Sequence, residues 1–437
     1  MPLTALERKV LDIVAASENT LIETTVNLIG FDTTARVGPG APHDEAALQR
    51  YLGERLSAAG AAVDIWEPTF SDVPASRQVP AGLVWAGFPQ LLAEFRGARI
   101  GPRLLLSGHI DAVSAEPRHL WTLDPYAAVV RHGRVYGRGA ADMKGGVAAI
   151  LVAVEALTSA GAQLNGDVLV STVTDEESTS AGGVATIARG IRADAAIIPE
   201  PTSLGIGVAC RGSLMPSIVV PGQAGHAAAV QPHWSDGGAV SATEKAAIVL
   251  DAVARLRQHW RDDPRGRHAL LPPASVVATM ISGGQWPVSY ADSCRIDCHI
   301  SYLPGQADAD GYGTQVERAF SEWIHRYTAT DPWLAEHPPT VEWSIDVPPA
   351  ELASDHGIVE VLTGANADLE HSGEIFGADF WHDGATFARA ASIPSVVYGP
   401  GDVRMAHAVD EFVPVDDLVA ATQGLALAAM RFCGVED

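Results

Sequence analysis

Residues 103–113, RLLLSGHIDAV, decide the fold. Arg103–Leu106 is a short apolar run of strand type, and it leads directly to His109 and Asp111. The same arrangement recurs downstream. Asp167–Val173 runs into TDEES, with Glu176 and Glu177, and Asp194–Ile198 runs into PEPT, with Glu200. Helix-type stretches lie between these runs, from Asp142 to about Ser159 and near Gly183–Arg189. Strands that alternate with helices predict an α/β domain on a mixed, mainly parallel sheet with helices on both faces. In such a sheet the functional crevice lies beyond the carboxyl ends of the strands, where these acids and the histidine fall.

The chain has 437 residues, which favours two domains over one core. Hydrophobic residues make up 47% and charged residues 19%, an ordinary globular balance. A formal net charge of −24 argues against nucleic-acid and anionic-membrane partners. The start of the chain, MPLTALERKVLDIVAAS, mixes acids and bases and reads as an amphipathic helix rather than a signal peptide. The most apolar helical stretch, Gly145–Leu157, is interrupted by Glu155 and reads as a buried helix too short to span a bilayer. Cys210, Cys294, Cys298 and Cys433 lack zinc-knuckle spacing. They read as buried free thiols, which fits a cytoplasmic protein.

Asp44–Ala59 predicts another amphipathic helix, with Ala47, Leu48, Tyr51, Leu52 and Leu56 on one stripe. Around Gly212 the pattern changes. Ser213–Val220, Ala274–Ile281 and Cys294–Leu303 read as strands, and Gly237–Trp260 and Asp308–Arg326 as helices. This β-α-β-β-α order predicts a small ferredoxin-like α+β domain over 213–330, inserted between the two parts of a catalytic domain at 1–212 and 331–437. The last helix is expected over Val415–Phe432. An insertion explains how His407, remote in sequence, reaches the other candidate residues.

Together His109, Asp111, Asp142, Glu176, Glu177, Glu200 and His407 offer mixed nitrogen and oxygen donors. Such a set suits zinc and, less selectively, manganese or cobalt. Seven such residues suggest two metals that share a carboxylate, and hence a metal-dependent hydrolase. His109 and Asp111 have the spacing for a ligand and the carboxylate that orients its ring. GRGAADMKGG lacks the GxxxxGK[ST] phosphate-loop spacing, so Asp142 reads as a metal bridge at a turn into a helix. Glu176 and Glu177 point apart if extended, leaving one for metal and one for general-base work. Taken singly, each is most often a solvated loop residue; the combination carries the reading.

The segments LLLSGHIDAV, WTLDPY, GRVYGRGAADMKGG, TDEES, PEPT, GQAGHAA, YGPG and AHAVDEFV occur in order between about Glu23 and Val419. In this the chain resembles the zinc-dependent deacylase and exopeptidase family of acetylornithine deacetylase, succinyl-diaminopimelate desuccinylase, aminoacylase and glutamate carboxypeptidase. The resemblance implies one zinc on His109, Asp142 and Glu200, and a second on Asp142, Glu177 and His407. It implies that Asp111 supports His109 and that the Asp142–Met143 peptide is cis. The implied reaction is amide hydrolysis. Glu176 takes the proton of the attacking water and returns it to the leaving amine, and His226 meets the oxyanion from the inserted domain. A homodimer through that domain is also implied.

The chain departs from the family at two places. Val288, in GGQWPVSYADSC, stands where an Asn is usual, and Ser301, in HISYLPG, where an Arg is usual. Those groups hold a substrate carboxylate, and losing a bidentate cation is not conservative. Either Arg211 or Arg295 takes over, or the substrate lacks that carboxylate. The segment from Glu67 to Gly87 is long for its place. Phe70, Trp85 and Phe88, with Trp286, Phe380 and Trp381, either line an aromatic pocket or pack locally. The expected substrate is a small-molecule amide, an N-acyl amino acid or related N-acyl amine. A dipeptidase or carboxypeptidase and an inactive binding protein are the alternatives.

Overall fold

The computed structural model describes residues 3–35 and 42–435, apart from the Arg265 side chain. The chain divides into two compact units: 1–209 with 350–378 and 382–437, and 210–349 with 379–381. The first unit opens with helices α1 (Ala5–Ala16), α2 (Glu18–Gly30) and α3 (Glu45–Ala58). Then come β1 (Ala62–Trp66), β2 (Gln90–Phe95), β3 (Leu104–His109), β4 (Val129–Arg131) and β5 (Arg134–Tyr136). Next are α4 (Gly145–Ala160), β6 (Val168–Val173), the short α5 (Glu176–Thr179), α6 (Ala181–Ala188), β7 (Ala195–Ile198) and β8 (Ile206–Cys210).

The second unit holds β9 (Gly212–Pro221), α7 (Ala242–Asp262), β10 (Ser275–Gly283), β11 (Ser293–Tyr302), α8 (Thr314–Thr328), α9 (Pro332–Glu336) and β12 (Thr340–Val347). The first unit resumes with β13 (Ala350–Glu351), α10 (Gly357–Asp368), β14 (Ile375–Ala378), α11 (Asp383–Ala391), β15 (Ser395–Val397), β16 (Phe412–Pro414) and α12 (Val415–Cys433).

The large sheet runs β1-β2-β6-β3-β7-β15-β8-β13, with β14 on β8. Its centre, β6-β3-β7-β15, is parallel, and β1, β2 and β8 flank it antiparallel. Every residue of β3, β6 and β7 is buried, as continuous apolar strands covered on both faces require. α4 fills the space beneath them and packs on α12, so nearly all of its residues are buried. By length and composition the segment Ala140–Ala160 could cross a membrane, longer than the sequence suggested, but 83% of its apolar window is buried in the protein. Glu155, the one charge on α4, meets Arg55 through two hydrogen bonds of 2.9 and 2.7 Å.

Asp142 does not open α4. It lies before the helix in extended backbone (φ −121°, ψ 94°), and the helix starts at Gly145. Gly146 is required there, because a Cβ would sit 2.1 Å from the Pro199 carbonyl oxygen, next to Glu200.

The second unit is an antiparallel sheet in the order β10-β11-β9-β12, with a separate core against α7 and α8. Its β-α-β-β-α-β order is ferredoxin-like. The unit runs to Pro349, past the boundary expected at 330, because β12 pairs with β9. α7 begins at Ala242 rather than near Gly237, since Ser241 caps it by accepting from the Glu244 amide at 3.3 Å. α8 begins at Thr314 rather than Asp308. All four cysteines are free and buried.

Candidate metal centre

The parallel strands explain the site. His109 is the last residue of β3, Glu176 and Glu177 follow β6, Glu200 follows β7, and His407 lies on the chain after β15. Asp142 enters from the side, through the turn that ends β5. One of its carboxylate oxygens is 3.0 Å from His109 Nε2, and the other is 3.4 Å from His407 Nε2. It therefore has the placement of a bridge. On the first side, Glu176 and Glu200 carboxylate oxygens lie 3.9 and 4.0 Å from His109 Nε2. On the other, Glu177 lies 3.0 Å from His407 Nε2. His109, Asp142 and Glu177 offer ligand atoms within 4.8 Å of one another. The Asp142–Met143 peptide is cis, as the resemblance implied.

Asp111 works differently from expectation. His109 Nδ1 donates to the Asp111 backbone carbonyl at 2.9 Å, while the Asp111 carboxylate is 3.6 Å away. Its two carboxylate oxygens instead accept from the Glu176 and Glu177 amides at 3.3 and 3.1 Å. Asp111 thus sets the ring through its main chain and seats both glutamates through its side chain. Those glutamates lie in a short helix and not in extended chain, yet they diverge, Glu176 toward His109 and Glu177 toward His407.

Electrostatics give the cluster its character. Burial pushes Asp111 up to about 8 and raises Glu176 and Glu200 well above the carboxylate range. Hydrogen bonds from His109 and His407 overcome burial at Asp142 and lower it. Burial opposes charge on His109, but Glu176, Asp142 and Glu200 raise it well above its ordinary value. His407 is raised to about 10 by its bonds to Asp142 and Glu177. Five carboxylates converge and the two imidazoles are the cations that answer them. Glu177 Oε1 is buried without a hydrogen-bond partner. An orphaned carboxylate oxygen among oxygen and nitrogen donors fits a divalent cation.

Two residues without an assigned role belong to the surroundings of this site. Glu411 is fully buried and accepts from Arg138 Nη1 at 2.7 Å and from the amides of Gly139, Ala141 and Asp142 at 2.9–3.1 Å. Both lie inside quoted segments, GRGAADMKGG and AHAVDEFV; the signal was an acid and a base each four residues from a ligand.

The residues expected to touch substrate lie in the second unit. His226 is exposed and its loop pairs with the turn carrying Val288, through the Ala227 amide and the Val288 carbonyl at 2.9 Å. Trp286 and Val288 in that turn are 67% and 48% exposed. Ser301 is buried in β11, away from this edge. Arg295 is engaged by Asp297, Glu342 and Ser217. Arg211 donates to the Asp379 and Pro273 carbonyls, and burial, only partly offset by Asp379, lowers its pKa. In the long 67–87 segment, Trp85 packs with Val73, Val79, Ala181 and Ala185, which is local packing; Phe70 is exposed.

A buried acid-histidine cluster at the ends of parallel strands, with a bridging carboxylate, defines a metal-dependent hydrolase. The chain belongs to Peptidase family M20/M25/M40, whose model matches residues 105–431. Its chemistry is the hydrolysis of amide bonds. The chain is 26% identical to the N-formyl-4-amino-5-aminomethyl-2-methylpyrimidine deformylase of Bacillus subtilis over 92% of each chain. It is 30% identical to the succinyl-diaminopimelate desuccinylase of Gluconacetobacter diazotrophicus, over 82% of this chain and 87% of the relative. Human carnosine dipeptidase 1 shares the fold, with a TM-score of 0.76, 16% identity and coverage of 99% of this chain and 100% of that one.

Proposed function

We propose that this protein hydrolyses the amide of a small N-acyl amine, with two divalent ions, zinc by donor set, held at His109, Asp142 and Glu200 and at Asp142, Glu177 and His407. The observation that carries the reading is Glu176, a buried carboxyl 3.9 Å from His109 Nε2 whose backbone is fixed by Asp111. Ions bound there supply a Lewis acid and lower the pKa of water. Glu176 takes the proton from the attacking water and passes it to the leaving nitrogen, so that amide and water become carboxylic acid and amine. An inactive binding protein would have no use for such a base.

Arg295 is already paired with Asp297 and Glu342, Ser301 is buried and Val288 is apolar, so these positions are poorly suited to grip a carboxylate. A relative whose name describes removal of formyl from an aminomethylpyrimidine supports an amine part without an α-carboxylate. Arg211, bonded to carbonyl oxygens, favours a second reading in which an N-acyl amino acid or peptide supplies its anion. The test is turnover on N-formyl and N-acetyl amines without a carboxylate, N-acyl amino acids, and dipeptides. Preference for the first group supports the proposal. Preference for carboxylates, lost in Arg211→Ala, moves the assignment to the second reading, and no turnover with two metals bound favours a binder.

For His226 the proposed contact is with the oxyanion; His226→Ala should lower kcat by about 10²–10³-fold. An unchanged kcat removes that role. The proposed homodimer forms through the second unit. Its edge strand β10 exposes Val277, Met280 and Ile281, and an apolar edge invites pairing with a second copy. Sedimentation of the wild type and of Met280→Lys tests this, with a monomeric wild type as the contrary result.

A further inference from the structure

We propose that the buried Arg138–Glu411 pair is a positioning clamp that sets the second metal position, by fixing His407 against Asp142. The inference rests on the two-ion reading above.

The backbone brings the two ligands' segments together first. β5 and β16 pair antiparallel, ending at Tyr136 opposite Phe412, and the Gly137 amide donates to the Glu411 carbonyl at 2.9 Å. Beyond that rung one strand continues to Asp142 and the other leads back to His407. Arg138 and Glu411, 3% and 0% exposed, form the next rung with side chains.

The bonds cross between the segments. Arg138 donates to Glu411 at 2.7 Å and to the carbonyl of Ala408, beside His407, at 3.2 Å. Glu411 accepts the amides of Ala141 and Asp142 on Oε1, and that of Gly139 on Oε2. Arg138 is held in turn by the Ser114 carbonyl at 3.3 Å and lies 5.0 Å from the Trp121 ring centre. From outside, the Thr122 amide and hydroxyl each reach Asp410 at 2.9 Å.

The clamp bears on the two metal positions unequally. His109 and Glu200 sit at the ends of β3 and β7, buried strands that do not depend on it. His407 stands on a loop, in left-handed backbone (φ 60°) with its side chain 56% exposed. Arg138, Glu411 and Thr122 supply the ties that hold this loop in place. Asp142 serves both positions, so loosening the clamp should weaken both ions, the one at His407, with two ligands on clamped segments, more than the one at His109, with one. Glu411→Gln does this, since one oxygen cannot accept four donors and the new NH2 faces donors.

The experiment is calorimetric titration of chelator-stripped full-length protein with Zn2+, repeated with Co2+ by visible absorption. Two ions are expected for the wild type. In Glu411→Gln the ion at His407 should weaken by about 10–100-fold and the ion at His109 by clearly less. Thr122→Val, at the surface, should weaken the ion at His407 by a smaller factor, and it carries the test if Glu411→Gln does not fold. Wild-type affinities at both positions, or equal weakening of both, overturn the clamp. A wild type that takes up a single ion overturns the two-ion reading instead.

Discussion

The protein buries carboxylates in two settings that answer their charge differently. Where α1, α10 and α12 meet, Glu7 and Asp368 share Arg431, at 2.8 and 2.6 Å. At the ends of β3, β6 and β7, five carboxylates gather, and among the described residues none is bonded to Lys or Arg. Burying an uncompensated charge costs several kcal/mol. A seam that carries its own cation is complete as folded, whereas a cluster of acids with two histidines needs a cation from solution. The difference separates structural acids from functional ones without any motif.

The sharpest way to break the comparison is Glu176→Gln. If Glu176 is the base and not a ligand, kcat falls by about 10²–10⁴-fold while metal content stays at the wild-type value. Kinetics with elemental analysis of the same preparation check this. Loss of metal with activity would exchange the roles of Glu176 and Glu177. Removing metal should come next in size. Free metal at 100 times its Kd stabilises the fold by about 2.7 kcal/mol per site, so stripping it should lower the thermal midpoint by several degrees. The same shift is expected in a variant of the Glu7 seam. A midpoint indifferent to metal would mean that the cluster needs no external cation.

Much of this was legible in the chain. The apolar runs before His109, Glu176 and Glu200 are strands β3, β6 and β7, because continuous burial on both faces leaves a signature in composition. His407 had no local signal, and the order of motifs supplied it. What failed were features set by distant partners. Asp142 looked like a helix start, but its amide is taken by Glu411, 269 residues away. Strand signals resume after Pro339, but their place in the second unit was not readable, because β12 joins β9 across more than a hundred residues. The start of α7 was readable after all, in the capping pattern S-x-x-E at 241–244. The Arg138–Glu411 pair left only a faint trace, a base and an acid each four residues from a ligand, and nothing in either segment names the other as its partner.

The smallest expected effect tests the other half of the comparison. Burial works to raise Glu7, but bonds from the Thr4 amide and from Arg431 outweigh it and hold the carboxyl below its ordinary value. A lowered folded pKa means that the folded state binds fewer protons, so this stabilisation is fully present above the unfolded value of about 4.3. It is lost as pH falls through the folded value. Gln at position 7 keeps one acceptor and cannot titrate, so Glu7→Gln should cost about 1 kcal/mol at neutral pH. Below about pH 4 the gap between the two proteins should close. Urea unfolding of both at matched pH reads this directly, because acid effects on the metal centre are common to the pair and cancel. A gap that stays constant into acid would assign the loss to packing, and the seam would then be no example of a self-compensated charge.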